Sequence, residues 1–272
     1  MADKAILFDT TKCMACRGCQ VACKQWNELK GEETTNQGSY ENPADLSPQT
    51  WVKINFIEAE RDGKVNWLFS RQACLHCTEA ACIKVCPPKA LYRHELGFVV
   101  YNKDLCTGCG YCVDFCPFHV PRLDGNRITG VAKMDKCVMC TVPGLNRIDN
   151  GIEPACVKTC PPSALKFGDR NQLVAEGTKK VQALKASGNS NAYLYGEREL
   201  GGLHVMYVLD DSPEVYRLPA SPQFPVTATA WKNVLQPVGW ALAGLTLVGL
   251  ALNFVIAREA RLTRQLPGKK EK

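Results

Sequence analysis

Sixteen cysteines govern what this 272-residue chain can become, because they fall into four sets of four with none left over. The first set is Cys13, Cys16, Cys19 and Cys23, a C-x2-C-x2-C-x3-C run, and the third, Cys106, Cys109, Cys112 and Cys116, repeats that spacing. In the second, Cys74, Cys77, Cys82 and Cys86, the middle gap widens to four residues; in the fourth, Cys137, Cys140, Cys156 and Cys160, it widens to fifteen. Three sets end in Cys-Pro, at Pro87, Pro117 and Pro161, whereas the first ends Cys23-Lys24. A loop with a cysteine every third residue can wrap three corners of a four-iron cube, and a cysteine four residues further on points to a second cube. A proline after it fixes φ and gives the chain a defined exit.

Other uses of so much sulfur fit poorly. Disulfides need paired Cβ vectors, which cysteines crowded into one short loop do not offer. Zinc sites take two separated pairs around one tetrahedral ion, and with four histidines in the chain a mixed Cys/His scheme has little support. The spacing therefore predicts four [4Fe–4S] clusters, with all sixteen cysteines as iron ligands. A hydrophobic content of 46% excludes a mostly disordered or collagen-like chain. Of the net charge of +6, the last fifteen residues supply six Lys/Arg against Glu259 and Glu271, leaving the remainder nearly neutral. No basic face for nucleic acid is implied.

The stretch from Cys74 to Cys116 reads as one two-cluster ferredoxin-like unit, with a short strand at Gly97–Val100 between its cysteine sets. Ile6-Leu7-Phe8 reads as a strand before set one, and Ala164–Gly168 closes set four. Spacing alone leaves open whether set three pairs with set two or with set four. Eight cations, Lys12, Arg17, Lys24, Lys84, Lys89, Lys103, Lys136 and Lys158, lie within a few residues of ligands, where charge tunes cluster potentials. No nucleophile with a base, paired carboxylates or phosphate loop is visible, so no catalytic residue is assigned. His76, His94, His119 and His204 are read as structural, and Trp26, Trp51 and Trp67 as core or subunit contact.

Past Asp169 the pattern changes. Arg170–Ser187 suits an amphipathic helix with Leu173, Val174, Val181 and Leu184 on one side, and Gly201–Leu209 a strand with Val205, Tyr207 and Leu209 alternating. Pro213, Pro219, Pro222 and Pro225 suggest an extended arm. Val234–Ala257 carries no formal charge and is long enough to cross a hydrocarbon core of about 30 Å. Six basic residues follow it and only Lys232 occupies the fifteen positions before it, which predicts a cytoplasmic tail and a periplasmic cluster domain. Only Ile6-Leu7-Phe8 precedes Cys13, too short for a secretory signal, so export with a signal-bearing partner is expected.

The chain resembles the iron–sulfur (beta) subunits of membrane-bound, quinone-linked formate dehydrogenases over about residues 5–257. The four cysteine sets carry the resemblance to the wider group of four-cluster subunits. Tyr40–Ser47, Glu153–Pro161 and Gly201–Leu209 carry the narrower one. The resemblance implies an α+β fold of two nested ferredoxin-like units with a single C-terminal transmembrane helix. Residues 1–70 and 131–168 form one unit, 71–130 the inserted unit, and 169–228 a helix, strand and proline-rich connector. Residues 229–257 are the membrane helix and 258–272 a basic tail. On that pairing the four cubes take Cys13, Cys16, Cys19 and Cys160; Cys137, Cys140, Cys156 and Cys23; Cys74, Cys77, Cys82 and Cys116; and Cys106, Cys109, Cys112 and Cys86. It further implies a catalytic alpha subunit with a Mo/W pterin, a cytochrome b gamma subunit and contact with membrane lipid. The cellular place is the inner (cytoplasmic) membrane, and the chain is an electron-transfer subunit, not an enzyme on its own. The alternatives are the equivalent subunit of another molybdopterin oxidoreductase or a hydrogenase, and, in a different class, a zinc-stabilised membrane-tethered binding module.

Overall fold

A computed structural model describes residues 3–61, 63–126, 132–142 and 144–265. The chain divides into two compact units, Met1–Pro225 and Val226–Lys272.

In the first unit, β1 (Lys4–Asp9) lies at the centre of a four-stranded sheet. It pairs antiparallel with β8 (Leu165–Asp169) and parallel with β10 (Val205–Leu209), in register Ile6↔Val205. β9 (Tyr193–Tyr195) completes the order β8–β1–β10–β9. The strand expected within Gly201–Leu209 is present, and all five residues of β10 are buried. Val205, Tyr207 and Leu209 face the cysteine-rich core, while Met206 and Val208 pack with Leu173 and Val181 of α5 (Arg170–Ala186). The strand starts later than Gly201. Leu200, Gly201 and Gly202 have φ of 50°, 72° and 104°, a left-handed stretch that no strand accommodates and that two glycines make affordable.

Each cysteine set supplies one helix with its third cysteine in the second position: α1 (Gly18–Trp26), α2 (Ala81–Lys84), α3 (Tyr111–Asp114) and α4 (Ala155–Lys158). α1 alone runs nine residues. The residue before proline is pushed out of the α region, so Cys86-Pro87, Cys116-Pro117 and Cys160-Pro161 end their helices, whereas Cys23-Lys24 lets α1 continue. The chain then turns through a left-handed residue, at Lys89, His119 and Ser163 three positions after the cysteine, but at Glu28 after set one. Two short antiparallel pairs follow: β4 (Leu91–Arg93) with β5 (Val99–Tyr101), and β6 (Arg122–Asp124) with β7 (Lys133–Asp135).

A long hairpin, β2 (Lys53–Arg61) with β3 (Lys64–Gln72), has no counterpart in the sequence expectations. Glu41, inside the family-specific Tyr40–Ser47 segment, ties the preceding loop to it. Its carboxylate accepts from the Lys53 ammonium, from the Phe56 amide at 3.0 Å and from Arg217 at 3.1 Å. The Glu41 and Lys53 side chains are only 9% and 4% exposed. Burial pushes the Glu41 carboxyl up, but Lys53, the Phe56 amide and Arg217 outweigh it and hold it below its ordinary value. The pair's support is present above the ordinary carboxylate range and is lost as pH falls through it. Glu41→Ala leaves the Lys53 charge buried and unpaired, so it should destabilise the chain by about 3–5 kcal/mol, measured by thermal unfolding under anaerobic conditions.

The proline-rich segment departs from the expected extended arm at its start. Tyr216 is buried, its hydroxyl bonded to Asp210 and Thr10, while Arg61 pairs with Asp210 at 2.9 Å. A Leu218 amide to Pro213 carbonyl bond of 2.9 Å closes the turn.

The second unit is helical: α6 (Val226–Ala230), a π-helical turn Trp231–Leu235, and α7 (Gln236–Gln265). Asn233–Arg261 is apolar enough to cross a membrane, with mean hydropathy 2.0. Pro237 follows closely on the π-helical turn, the distortion expected where a proline removes an N–H from a continuing helix. The helix continues through Arg258, Arg261 and Arg264, so the expected tail is helical as far as Gln265, and its residues 266–272 lie outside the described residues.

Candidate metal centre

The same turn recurs in all four sets. The residue just before the second cysteine is left-handed: Ala15 (φ 52°), His76 (50°), Gly108 (70°) and Met139 (55°). This conformation folds the C-x2-C segment back on itself so that its thiols converge. Only Gly108 adopts it without strain, and a Cβ there would lie 2.2 Å from the Ala132 carbonyl oxygen.

Two enclosed cavities show what converges. One is lined by Cys23, Cys137, Cys140 and Cys156 with Ile6 and Trp51. The other is lined by Cys86, Cys106, Cys109 and Cys112. The remaining cysteines couple electrostatically in the same manner: Cys13 with Cys16 and Cys160, Cys19 with Cys13 and Cys160, and Cys77 with Cys74, Cys82 and Cys116. Single pairs then link one group to the next, Cys19 with Cys156, Cys74 with Cys137 and Cys112 with Cys82. Taken in that order, these couplings and the two cavities connect the cysteines as four successive neighbouring groups.

The donor set fits a cluster. All sixteen cysteines are free, and two groups of four thiols each rim a cleft of their own, the four-thiolate donor set that a cluster takes. Burial pushes the Cys19, Cys82 and Cys140 thiols up to about 12 and Cys116 up to about 11. Thiols this reluctant to ionise become thiolates only around a cationic metal core.

Of the eight cations flagged by sequence proximity, only Lys136 is buried. Its ammonium donates to the Val99 and Cys137 carbonyls at 2.7 and 2.9 Å and lowers the burial-raised Cys74, Cys82 and Cys116 thiols. Sequence reasoning missed Arg71, which lines the cavity of Cys23, Cys137, Cys140 and Cys156 with Nη2 3.9 Å from Cys156 Sγ. Its place three residues before Cys74 is the signal that would have found it.

His76 is fully buried rather than solvent-facing, its Nδ1 3.1 Å from the Val99 amide. His204 Nδ1 lies 2.8 Å from the His76 carbonyl, and His94 stacks on Phe98 at 4.7 Å. Trp51 is core, Trp26 donates to the Leu145 carbonyl at 2.7 Å, and Trp67 is exposed.

Residues 12–90 and 65–170 each match a family described as a 4Fe-4S dicluster domain. The chain is 39% identical to the nitrate-inducible formate dehydrogenase iron-sulfur subunit of Escherichia coli K12, covering 93% of this chain and 85% of that one. It is 40% identical to the formate dehydrogenase iron-sulfur subunit of Haemophilus influenzae (91% and 78% covered), and 32% identical to the hydrogenase-2 operon protein of Escherichia coli O157:H7 (89% and 83% covered).

Proposed function

The chain belongs to the family of formate dehydrogenase iron–sulfur subunits, and from that premise we propose that it carries electrons from a formate-oxidising catalytic subunit to a cytochrome b partner and quinone in the membrane. It is an electron-transfer subunit with four 4Fe–4S clusters and is not itself catalytic. When bound, each cluster takes up and returns one electron. The chain's own part is to hold the clusters in succession, keep water from them and set the charge around them.

The ligand sets follow the nested pairing: Cys13, Cys16, Cys19 and Cys160; Cys23, Cys137, Cys140 and Cys156; Cys74, Cys77, Cys82 and Cys116; Cys86, Cys106, Cys109 and Cys112. The observation that carries this reading is the cavity that unites Cys23 of set one with Cys137, Cys140 and Cys156 of set four across more than a hundred residues. Accordingly 1–70 with 131–168 and the inserted 71–130 are the two cluster-bearing units, with 169–228 as connector. The helix is the membrane anchor, and the six basic residues after it support a cytoplasmic tail with the cluster domain periplasmic.

Purification of the intact complex under anaerobic conditions tests the reading. Sixteen iron per chain and reduction of the clusters by formate are expected, with a Mo/W-pterin subunit copurifying. A colourless protein holding a few zinc ions would favour the membrane-tethered binding module, and reduction by hydrogen but not formate the hydrogenase reading that the 32% identical relative keeps in view. External protease that fails to cut the cluster domain in spheroplasts would reverse the orientation.

A further inference from the structure

Resting on the cluster reading above, we propose that Arg71 is a positioning residue that raises the reduction potential of the cube held by Cys23, Cys137, Cys140 and Cys156, by aiming unspent N–H donors and a fixed positive charge into that cavity. Arg71 stands near the end of β3 and is among the largest fully buried side chains of the chain. A buried guanidinium ordinarily finds a carboxylate or a set of carbonyls. Here Nη2 reaches only the Cys156 sulfur, at 3.9 Å, and Nε and Nη1 have no partner among the described residues. The ionisable groups that face it include the Cys156, Cys137, Cys23, Cys19 and Cys74 thiols and the Tyr207 phenol. Tyr207 donates its hydroxyl to the Arg71 carbonyl at 2.6 Å and so fixes the backbone rather than spending the guanidinium.

The unmet donors therefore point to acceptors inside the cavity, the sulfurs of a cluster. Hydrogen bonds and positive charge at a cluster favour its reduced, more negative state and raise its potential. Lys136 differs because two of its three ammonium donors are held by the Val99 and Cys137 backbone carbonyls. Arg17, close to the first set, and Arg147, which faces Cys140 of the same cube, donate to the Tyr40 and Glu153 carbonyls. Arg71 also faces Cys19 of the adjacent group, so the neighbouring cube should feel the same charge more weakly.

The test is a potentiometric titration followed by electron paramagnetic resonance on the intact complex, comparing Arg71→Gln and Arg71→Lys with the unaltered protein. Arg71→Gln should lower one cube's reduction equilibrium constant by about tenfold or more, which is 59 mV for a one-electron couple, with a smaller fall in its neighbour. Arg71→Lys keeps the charge and should restore most of the difference. Four unchanged potentials in an Arg71→Gln complex that retains full iron would overturn the proposal. If that variant loads less iron, hyperfine spectroscopy on unaltered protein grown with 15N-arginine decides instead. A 15N coupling on a reduced cluster that disappears in Arg71→Lys supports Arg71 as donor, and no arginine coupling refutes it. An unaltered protein without iron would refute the cluster reading itself, a result distinct from either.

Discussion

Cys156→Ala should take the intact complex from sixteen iron to about twelve per chain and cut formate-driven quinone reduction by more than about a hundredfold. Cys156 belongs to the second group in the succession, so its loss interrupts the route and not merely one end. Even residues outside the direct ligand shell cost 10–100-fold when removed, and this one is a ligand. The substitution also strips Arg71 of its one sulfur contact and leaves a buried guanidinium facing a void. An uncompensated buried charge costs about 3–5 kcal/mol, so the unfolding temperature should fall together with the iron content. Iron analysis, quinone reduction and formate-dependent dye reduction on one preparation check all of this. Dye reduction should survive, because it samples the catalytic partner ahead of the break. Quinone reduction near the unaltered rate would remove Cys156 from the relay.

A chain stopped after Pro225 should leave the membrane fraction almost entirely when produced without a cytochrome partner, and should keep its iron. The compact unit Met1–Pro225 contains every cysteine, while Asn233–Arg261 supplies the apolar length. At 1.5 Å per residue that helix spans roughly 43 Å, more than a hydrocarbon core of about 30 Å requires. Fractionation with iron analysis of both pools reads the outcome. Iron that stays with the membrane would place a second anchor in the first unit, and iron lost from the soluble pool would mean that the helix is needed to build the clusters.

The metal chemistry was legible because cluster ligation is written in residue type and spacing, both visible in one dimension. The long apolar helix and α5 were legible for a similar reason, since their periodicity is local. What stayed hidden depends on contacts between distant segments. The unbroken apolar run Val205–Leu209 is the mark of a strand covered on both faces, but its partner β1, some two hundred residues earlier, is not written in it. Among cations near ligands, Lys136 and Lys158 look alike in sequence, and burial alone separates them. Arg71 shares that proximity to a ligand, and only the cavity it lines sets it apart from a surface arginine. The left-handed turns at Ala15, His76 and Met139 have no residue signature either; of the four, Gly108 alone shows its conformation in its name.

The adjacency of Lys4–Asp9 and Val205–Leu209 sets a timetable for biogenesis. A nascent polypeptide cannot close its central sheet until the ribosome has made residue 209, long after every cysteine has emerged. Through that interval the thiols remain reachable by whatever donates iron and sulfide, and the late strand seals the finished inorganic cargo behind it.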